Sequence, residues 1–324
     1  GSLCLSLCLV FVYITLLGSE AGRQGWAIPM ATDIAFVVGA LALLGKRVPH
    51  GLKVFLLTLA IVDDIIAVLV IALFYSSKLS MVWLGAAVFG LIVVVIMNRL
   101  GVRTVFGYLL IGALVWLCTL KSGIHPTISG VVLGLLTPAA PLLSKDKLIQ
   151  SLNRAGSLLR GGADKGQSAR VREVTDEVDF VARESVSPLE RFETGVHPWA
   201  AFVIMPIFAL ANAGVPVTIG AVSSTISVAV AAGLFIGKPV GIVLALFLAV
   251  KSRLGTMPGG AGWGAVFGSG CLAGIGFTMS LFVASLSMEG QMLVEAKTGI
   301  LIGSAASGLI GFIALILSLK KKAE

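Results

Sequence analysis

Long apolar runs separated by short polar links make up most of this chain, and that pattern predicts helices that cross a membrane. The clearest run is Val54–Tyr75, VFLLTLAIVDDIIAVLVIALFY, which carries two adjacent carboxylates, Asp63 and Asp64, at its centre. At about 1.5 Å per residue a helix of that length rises roughly 33 Å, enough to cross a bilayer. Both acids then lie near the midplane, where an ionised side chain costs about 2.5–3.5 kcal/mol on the insertion scale. Adjacent helical residues are about 100° apart, so the two carboxylates point at different partners.

Nine further runs bring the expected spans to ten, at 3–18, 26–45, 54–75, 82–97, 105–120, 123–137, 196–214, 224–250, 263–288 and 298–319. The charges between them support that number. Most of the 24 Lys and Arg lie in the links after even-numbered spans or in the C-terminal tail, and four lie in links after odd-numbered spans. With the long loop 138–195 left out, the split is 10 against 4, and dropping the short sixth span would reduce it to 8 against 6. The basic links mark the cytoplasmic side, so both ends of the chain are expected there. The expected organisation is an N-terminal membrane region with six spans (residues 1–137), a cytoplasmic loop (residues 138–195), and a C-terminal membrane region with four spans (residues 196–324). Within the loop, Val171, Val174, Val178 and Val181 recur at helical spacing among charges, which predicts an amphipathic surface helix.

Two spans are interrupted. In span two, WAIPMATDIAFVVGALALLG, Pro29 removes a backbone donor and disfavours helix at Ile28, and Thr32 and Asp33 follow. In span nine, Gly268, Gly270, Gly274 and Gly276 precede Thr278 and Ser280. Non-helical backbone at membrane depth survives where it is buried or lines a cavity. The two spans occupy corresponding places, each the middle of a three-span group, spans 1–3 and 8–10. That arrangement predicts an inverted-repeat transporter with its site at the midplane. Span eight holds Lys238 before Pro239, a predicted kink. Its row Gly233, Gly237 and Gly241 predicts close helix packing rather than ligand binding.

The obligate charges inside the spans are Asp33, Asp63, Asp64 and Lys238. Three acids against one base leave a net deficit that a small cation or protons could offset and an anion could not. A hard cation such as Na+ prefers oxygen ligands, which Asp64, Thr32 and carbonyls freed by the break can supply. Burial and a like-charged neighbour favour the protonated carboxyl, so Asp63 and Asp64 can also hold protons. A site that binds either species exchanges them if both sides of the membrane reach it. Broken helices expose partial charges, positive at N-terminal and negative at C-terminal ends. Asp33 suits N-terminal ends, while Lys238 suits C-terminal ends or Asp63.

Composition agrees with this picture. The chain is 57% hydrophobic and 12% charged, with a mean hydropathy of +1.02. That is a polytopic membrane protein, all α-helical, and not a soluble globule. The net charge of +8 is topological and does not indicate nucleic acid. Cys4, Cys8, Cys118 and Cys271 lie in apolar runs and are expected to be small buried hydrophobes.

The segments GWAIPMATDIAF, LAIVDDIIA, LKSGIHPTISG, HPWAAFVIMPIFALANAG, IGKPVGI and GIGFTMSLFVASL, in this order, resemble the NhaA family of Na+/H+ antiporters from about residue 25 to 319, with the exception of 138–190. The resemblance implies that Asp64 and Asp63 form the cation and proton site, assisted by Thr32. It implies that Asp33 and Lys238 compensate the dipoles of two crossing broken helices. The implied protein is a transporter and not an enzyme. It needs no cofactor beyond the transported Na+ (or Li+) and H+, sits in a bacterial cytoplasmic membrane, and serves pH and sodium homeostasis. A homodimer stays open. Arg191, Glu193 and His197 resemble the family's cytoplasmic pH-responsive entrance, although Glu190 and Thr194 stand where basic or imidazole groups would be expected. Family members carry two further helices ahead of the first one here. Gly1-Ser2 therefore suggests a truncated start or a cloning scar, and a chain that is inactive or blind to pH as it stands. A Na+-coupled symporter would need a larger polar pocket, a channel would want a symmetric ring of charges or carbonyls, and an inactive scaffold rests on the missing start alone.

Overall fold

The computed structural model describes residues 24–74, 79–102, 104–140, 143, 145–160, 168–214, 219–259 and 261–319, and these contain helices and no strand. The expected first span, with Cys4 and Cys8, lies outside the described residues. In chain order the helices are α1 (Ile34–Leu44), α2 (His50–Phe74), α3 (Met81–Arg99), α4 (Val105–Ser122), α5 (Thr127–Leu136), α6 (Lys145–Arg160), α7 (Ser168–Glu184), α8 (Pro188–Trp199), α9 (Met205–Ala213), α10 (Ile219–Val222), α11 (Thr225–Ala232), α12 (Lys238–Lys251), α13 (Trp263–Ala273), α14 (Phe277–Ser287) and α15 (Gly290–Ser318). They form two compact units. One combines Gly1–Tyr75 with Ala201–Glu324, and the other is Ser76–Ala200.

In the first unit both predicted interruptions are present. The turn Gln24–Met30 is a 3-10 helix containing Pro29, Ala31–Asp33 is non-helical, and α1 begins only at Ile34. α13 and α14 are bent by 44° across Gly274–Gly276. Gly268 and Gly270, expected to share in that break, lie instead inside α13. Their role is close approach: a Cβ on Gly268 would lie 3.0 Å from the backbone nitrogen of Leu315, and one on Gly270 would lie 3.0 Å from the Cα of Pro239. The kink expected at Pro239 takes the form of a π-turn, Gly233–Gly237, between α11 and α12. Gly233, the first glycine of the row, packs closely against the ring of Pro29.

The apolar pattern follows the membrane reading. α2 buries Leu52, Leu56, Ala60, Asp63, Ala67 and Ile71, while Ile61, Ile65, Leu69 and Leu73 form an exposed stripe on its other side. An exposed apolar stripe on so long a helix suits lipid rather than water. Two buried clusters organise the unit. One holds Val37, Leu41, Leu56, Ile242, Ala273 and Ile275, and the other holds Ile28, Met30, Leu234, Leu281 and Ile300. Each cluster draws residues from both broken segments.

In the second unit α3, α4 and α5 pack together, and the Asn98 side chain of α3 donates to Leu136 O at 2.8 Å, at the end of α5. Most of the polar stretch 138–195 is helical. α6 packs on α7, with Ser151 donating to Glu177 at 3.3 Å and Arg154 paired to Glu177 at 3.6 Å. α7 is the amphipathic helix the valine spacing predicts, with Val181 buried and Val174 and Val178 half-buried. Cys271 is buried, whereas Cys118 is only partly so.

The approach of α15 to α11 tests this packing. A Cβ on Gly303 would lie 2.9 Å from the Cα of Ala231, which is backbone and cannot rotate away. Gly303→Val should therefore cost about 1–3 kcal/mol of stability. Thermal unfolding in detergent is expected to show a lower midpoint, with no change in the helical signal at low temperature.

Candidate cation site at the crossing of two broken helices

The two interruptions meet, and their backbones are tied directly: Asp33 N–H donates to Ile275 O at 2.7 Å. Each break leaves N–H groups at the start of the following helix and carbonyls at the end of the preceding one. Inside a membrane these need partners from the protein. The nearby charges divide that work by sign.

Asp33 serves the N-terminal ends. It is the N-cap of α1, accepting from Phe36 N at 3.5 Å, and its Oδ2 accepts from Thr278 N at 2.9 Å and Thr278 Oγ1 at 2.6 Å in the first turn of α14. One carboxylate, 1% exposed, thus faces two helix starts. Lys238, also 1% exposed, serves the other ends. Its ammonium donates to Ala31 O at 2.6 Å and Ala273 O at 3.2 Å, the carbonyls at the two breaks, and to Thr32 Oγ1 at 2.6 Å. It also lies 3.9 Å from Asp63 Oδ2, close enough for an ion pair but beyond hydrogen-bond range. The two partners that sequence left open for Lys238, helix C-termini or Asp63, are both present.

Thr32 joins the groups. Its hydroxyl accepts from Lys238 and lies 3.1 Å from Asp63 Oδ2 and 3.2 Å from Ala273 O, with one proton to give to either. Asp63 sits on the buried stripe of α2. Asp64, one residue on, is half-buried, and its Oδ1 is buried without a hydrogen-bond partner among the described residues. The neighbouring carboxylates therefore do face different surroundings. A buried carboxylate oxygen with no donor attracts a proton or a cation. The described residues contain no group of three or more His, Cys, Asp and Glu suited to a resident metal ion.

Several contributors were not assigned from sequence. Thr278 supplies two donors to Asp33, Ser280 Oγ donates to Ile28 O at 2.7 Å, and Ser304 Oγ accepts from Gly276 N at 3.2 Å. The signal for Thr278 and Ser280 was their place just after the break. Ser304 stood in an unbroken apolar span, and only its neighbour Gly303 hinted at a close contact. Arg191, Glu193 and His197 are on α8 in the other unit. Arg191 pairs with Glu184 at 3.7 Å, while Glu193 and His197 are exposed.

Lys238→Ala should leave the Ala31 and Ala273 carbonyls, and Asp63, without their buried cation. Removing one partner from a buried charged pair typically costs about 3–5 kcal/mol. The unfolding midpoint in detergent is expected to fall sharply. A midpoint equal to the parent's would mean that the carbonyl ends do not need the ammonium.

The family model described as Na+/H+ antiporter 1 matches residues 5–315. A protein named Na(+)/H(+) antiporter NhaA 2 from Acidiphilium cryptum is 44% identical over 266 residues, 82% of this chain and 59% of the relative. One named Na(+)/H(+) antiporter NhaA from Rhodopirellula baltica is 46% identical over 268 residues, 82% of this chain and 60% of the relative. One named Na(+)/H(+) antiporter NhaA 2 from Sorangium cellulosum is 47% identical over 273 residues, 82% of this chain and 58% of the relative. The matched portion of the chain thus spans less than two thirds of the length of these relatives. With a family match over nearly its whole length and an all-helical fold built on two crossed, broken helices, the chain belongs to the Na+/H+ antiporter 1 family.

Proposed function

We propose that this chain carries out the exchange of Na+, with Li+ as an alternative cargo, for H+ across a bacterial cytoplasmic membrane by alternating access. The observation that carries the proposal is Asp64, whose buried Oδ1 has no donor while the neighbouring charges have assigned partners. Asp33 is held by two helix starts, and Asp63 by Thr32 and Lys238. Asp64 is then the group that takes the transported ion. Its carboxylate, with Asp63 and the Thr32 hydroxyl, offers the oxygen set that a hard cation prefers. When the cation leaves, the same oxygens take protons. Competition for one set of atoms couples the two fluxes, provided each side of the membrane reaches them in turn.

Reconstitution into vesicles tests this directly. A Na+ gradient should drive a pH change of opposite sense, and Asp64→Asn should abolish it while the variant still inserts and folds. The amide keeps an oxygen but loses the charge that holds Na+. Exchange by Asp64→Asn at the parent's rate would remove Asp64 from the site. Current without obligatory proton movement would indicate a channel.

Stoichiometry follows from whether Asp63 also releases a proton. We propose that it does, so that two protons exchange for one Na+ and the cycle moves net charge. The 3.9 Å separation supports a loose Asp63–Lys238 pair rather than a locked one. Membrane potential would then drive exchange at about 2.3 kcal/mol per charge per 100 mV. A Na+ jump on protein adsorbed to a supported membrane should give a transient current that reverses with the gradient. Asp63→Asn should keep some Na+ binding but lose the current. Robust exchange with no current in the unmutated protein would favour a locked pair and one-for-one exchange.

A further inference from the structure

The π-turn Gly233–Gly237 directly precedes Lys238 and raises a hydrogen-bonding problem of its own. Its wide register sends Lys238 N–H to Gly233 O, five residues back. Leu234 O is thereby denied its α-helical donor, which would be Lys238 N–H. Its π-helical donor would be the N–H of residue 239, but that residue is Pro239 and has none. Leu234 is fully buried, and a buried carbonyl left without a donor costs roughly as much as a lost hydrogen bond.

The Ser307 hydroxyl of α15 donates to this carbonyl at 3.2 Å. Ser307 is itself fully buried. The close approach at Gly303, one turn earlier on α15, brings the hydroxyl within reach. On the other side, Gly274 sits against both Ser307 Oγ and Leu234 O, and a Cβ there would collide with both. Gly274 is also the residue after Ala273, whose carbonyl accepts from Lys238. The π-turn, the α13–α14 break and α15 therefore converge on one carbonyl. If Ser307 supplied no proton, the simplest way to satisfy Leu234 O would be to hand it Lys238 N–H. That collapses the π-turn to an α-turn and rotates Lys238 away from its present direction.

We propose that Ser307 is a positioning residue: its hydroxyl replaces the missing backbone donor to Leu234 O, holds Gly233–Gly237 in the π register, and so sets the Lys238 ammonium against Ala31 O, Ala273 O and Thr32. As a role in transport this rests on the antiport reading above. As a device of the fold it does not.

The test is a double-mutant cycle between Ser307→Ala and Pro239→Ala. The second change supplies a backbone N–H five residues after Leu234, the donor that the π register lacks. In reconstituted protein, Ser307→Ala is expected to slow Na+/H+ exchange about tenfold. In the Pro239→Ala background the same change should slow it by less than about threefold. Equal effects of Ser307→Ala in both backgrounds would overturn the proposal, because a general packing defect is not relieved by a new N–H at residue 239.

Amide hydrogen exchange across residues 233–238 in detergent reads the same cycle without transport. Ser307→Ala should speed exchange there about tenfold, and adding Pro239→Ala should slow it again. Unchanged exchange in Ser307→Ala would also overturn the proposal. If the unmutated protein fails to exchange ions, the antiport reading falls, and this measurement still decides the role of Ser307. Ser307→Cys, nearly isosteric but a weak donor, carries the same comparisons with smaller effects if Ser307→Ala does not fold.

Discussion

Everything around the site depends on one constraint: a helix interrupted away from water must have its loose N–H and C=O groups met from within the protein. Two interrupted segments cross here, and each supplies some of what the other lacks. Asp33 N–H bonds Ile275 O, Asp33 Oδ2 accepts from the start of α14, and Ser280 Oγ reaches back to Ile28 O. The remaining ends are matched by sign, with a carboxylate at two helix starts and an ammonium at two carbonyls. Each interruption would be costly alone. Crossed, they form a framework that holds Thr32 beside Asp63 and Lys238.

That matching explains why three acids and one base can share so small a region. Asp33 and Lys238 are consumed mainly by backbone dipoles, so they balance partial charges before they balance each other. Asp63 and Asp64 remain, and geometry separates them. The buried stripe of α2 carries Asp63 toward Thr32, while the next residue turns away by about 100°. Adjacent acids on a strand would point to opposite faces, and acids four apart on a helix would share one. Neighbours on a helix are what give a framework-bound carboxylate beside a loosely held one.

Much of this arrangement was legible in the sequence because its signals were categorical. A charge inside an apolar run, or a proline followed by Thr-Asp, has few meanings at membrane depth, and Asp33, Thr32, Asp63, Asp64 and Lys238 were all visible that way. The glycines were harder. Gly268 and Gly274 look alike in the sequence, yet Gly268 lies in a regular helix and makes room for α15, while Gly274 ends one. A missing Cβ permits a break and a close approach equally, and only the neighbouring element decides which. The π-turn was hidden for a similar reason. Pro239 announced an irregularity, but whether it would kink or widen the helix depended on a donor on α15, some seventy residues away.

The ammonium of Lys238 sets a limit on how tightly Asp63 can be bound. It has three N–H groups, and three neutral oxygens stand within hydrogen-bond range of it, two of them carbonyls fixed by the breaks. Asp63, at 3.9 Å, feels the charge without a share of those hydrogens. The third oxygen belongs to Thr32, the one member of the set that can turn. Its single proton faces Asp63 Oδ2 on one side and Ala273 O on the other. Given to Asp63, it steadies the ionised carboxylate. Given to Ala273 O, it shares that carbonyl with Lys238. The ammonium is thus tied to two carbonyl ends that the breaks fix in place, while Asp63 meets it at ion-pair distance and shares the Thr32 hydroxyl with it.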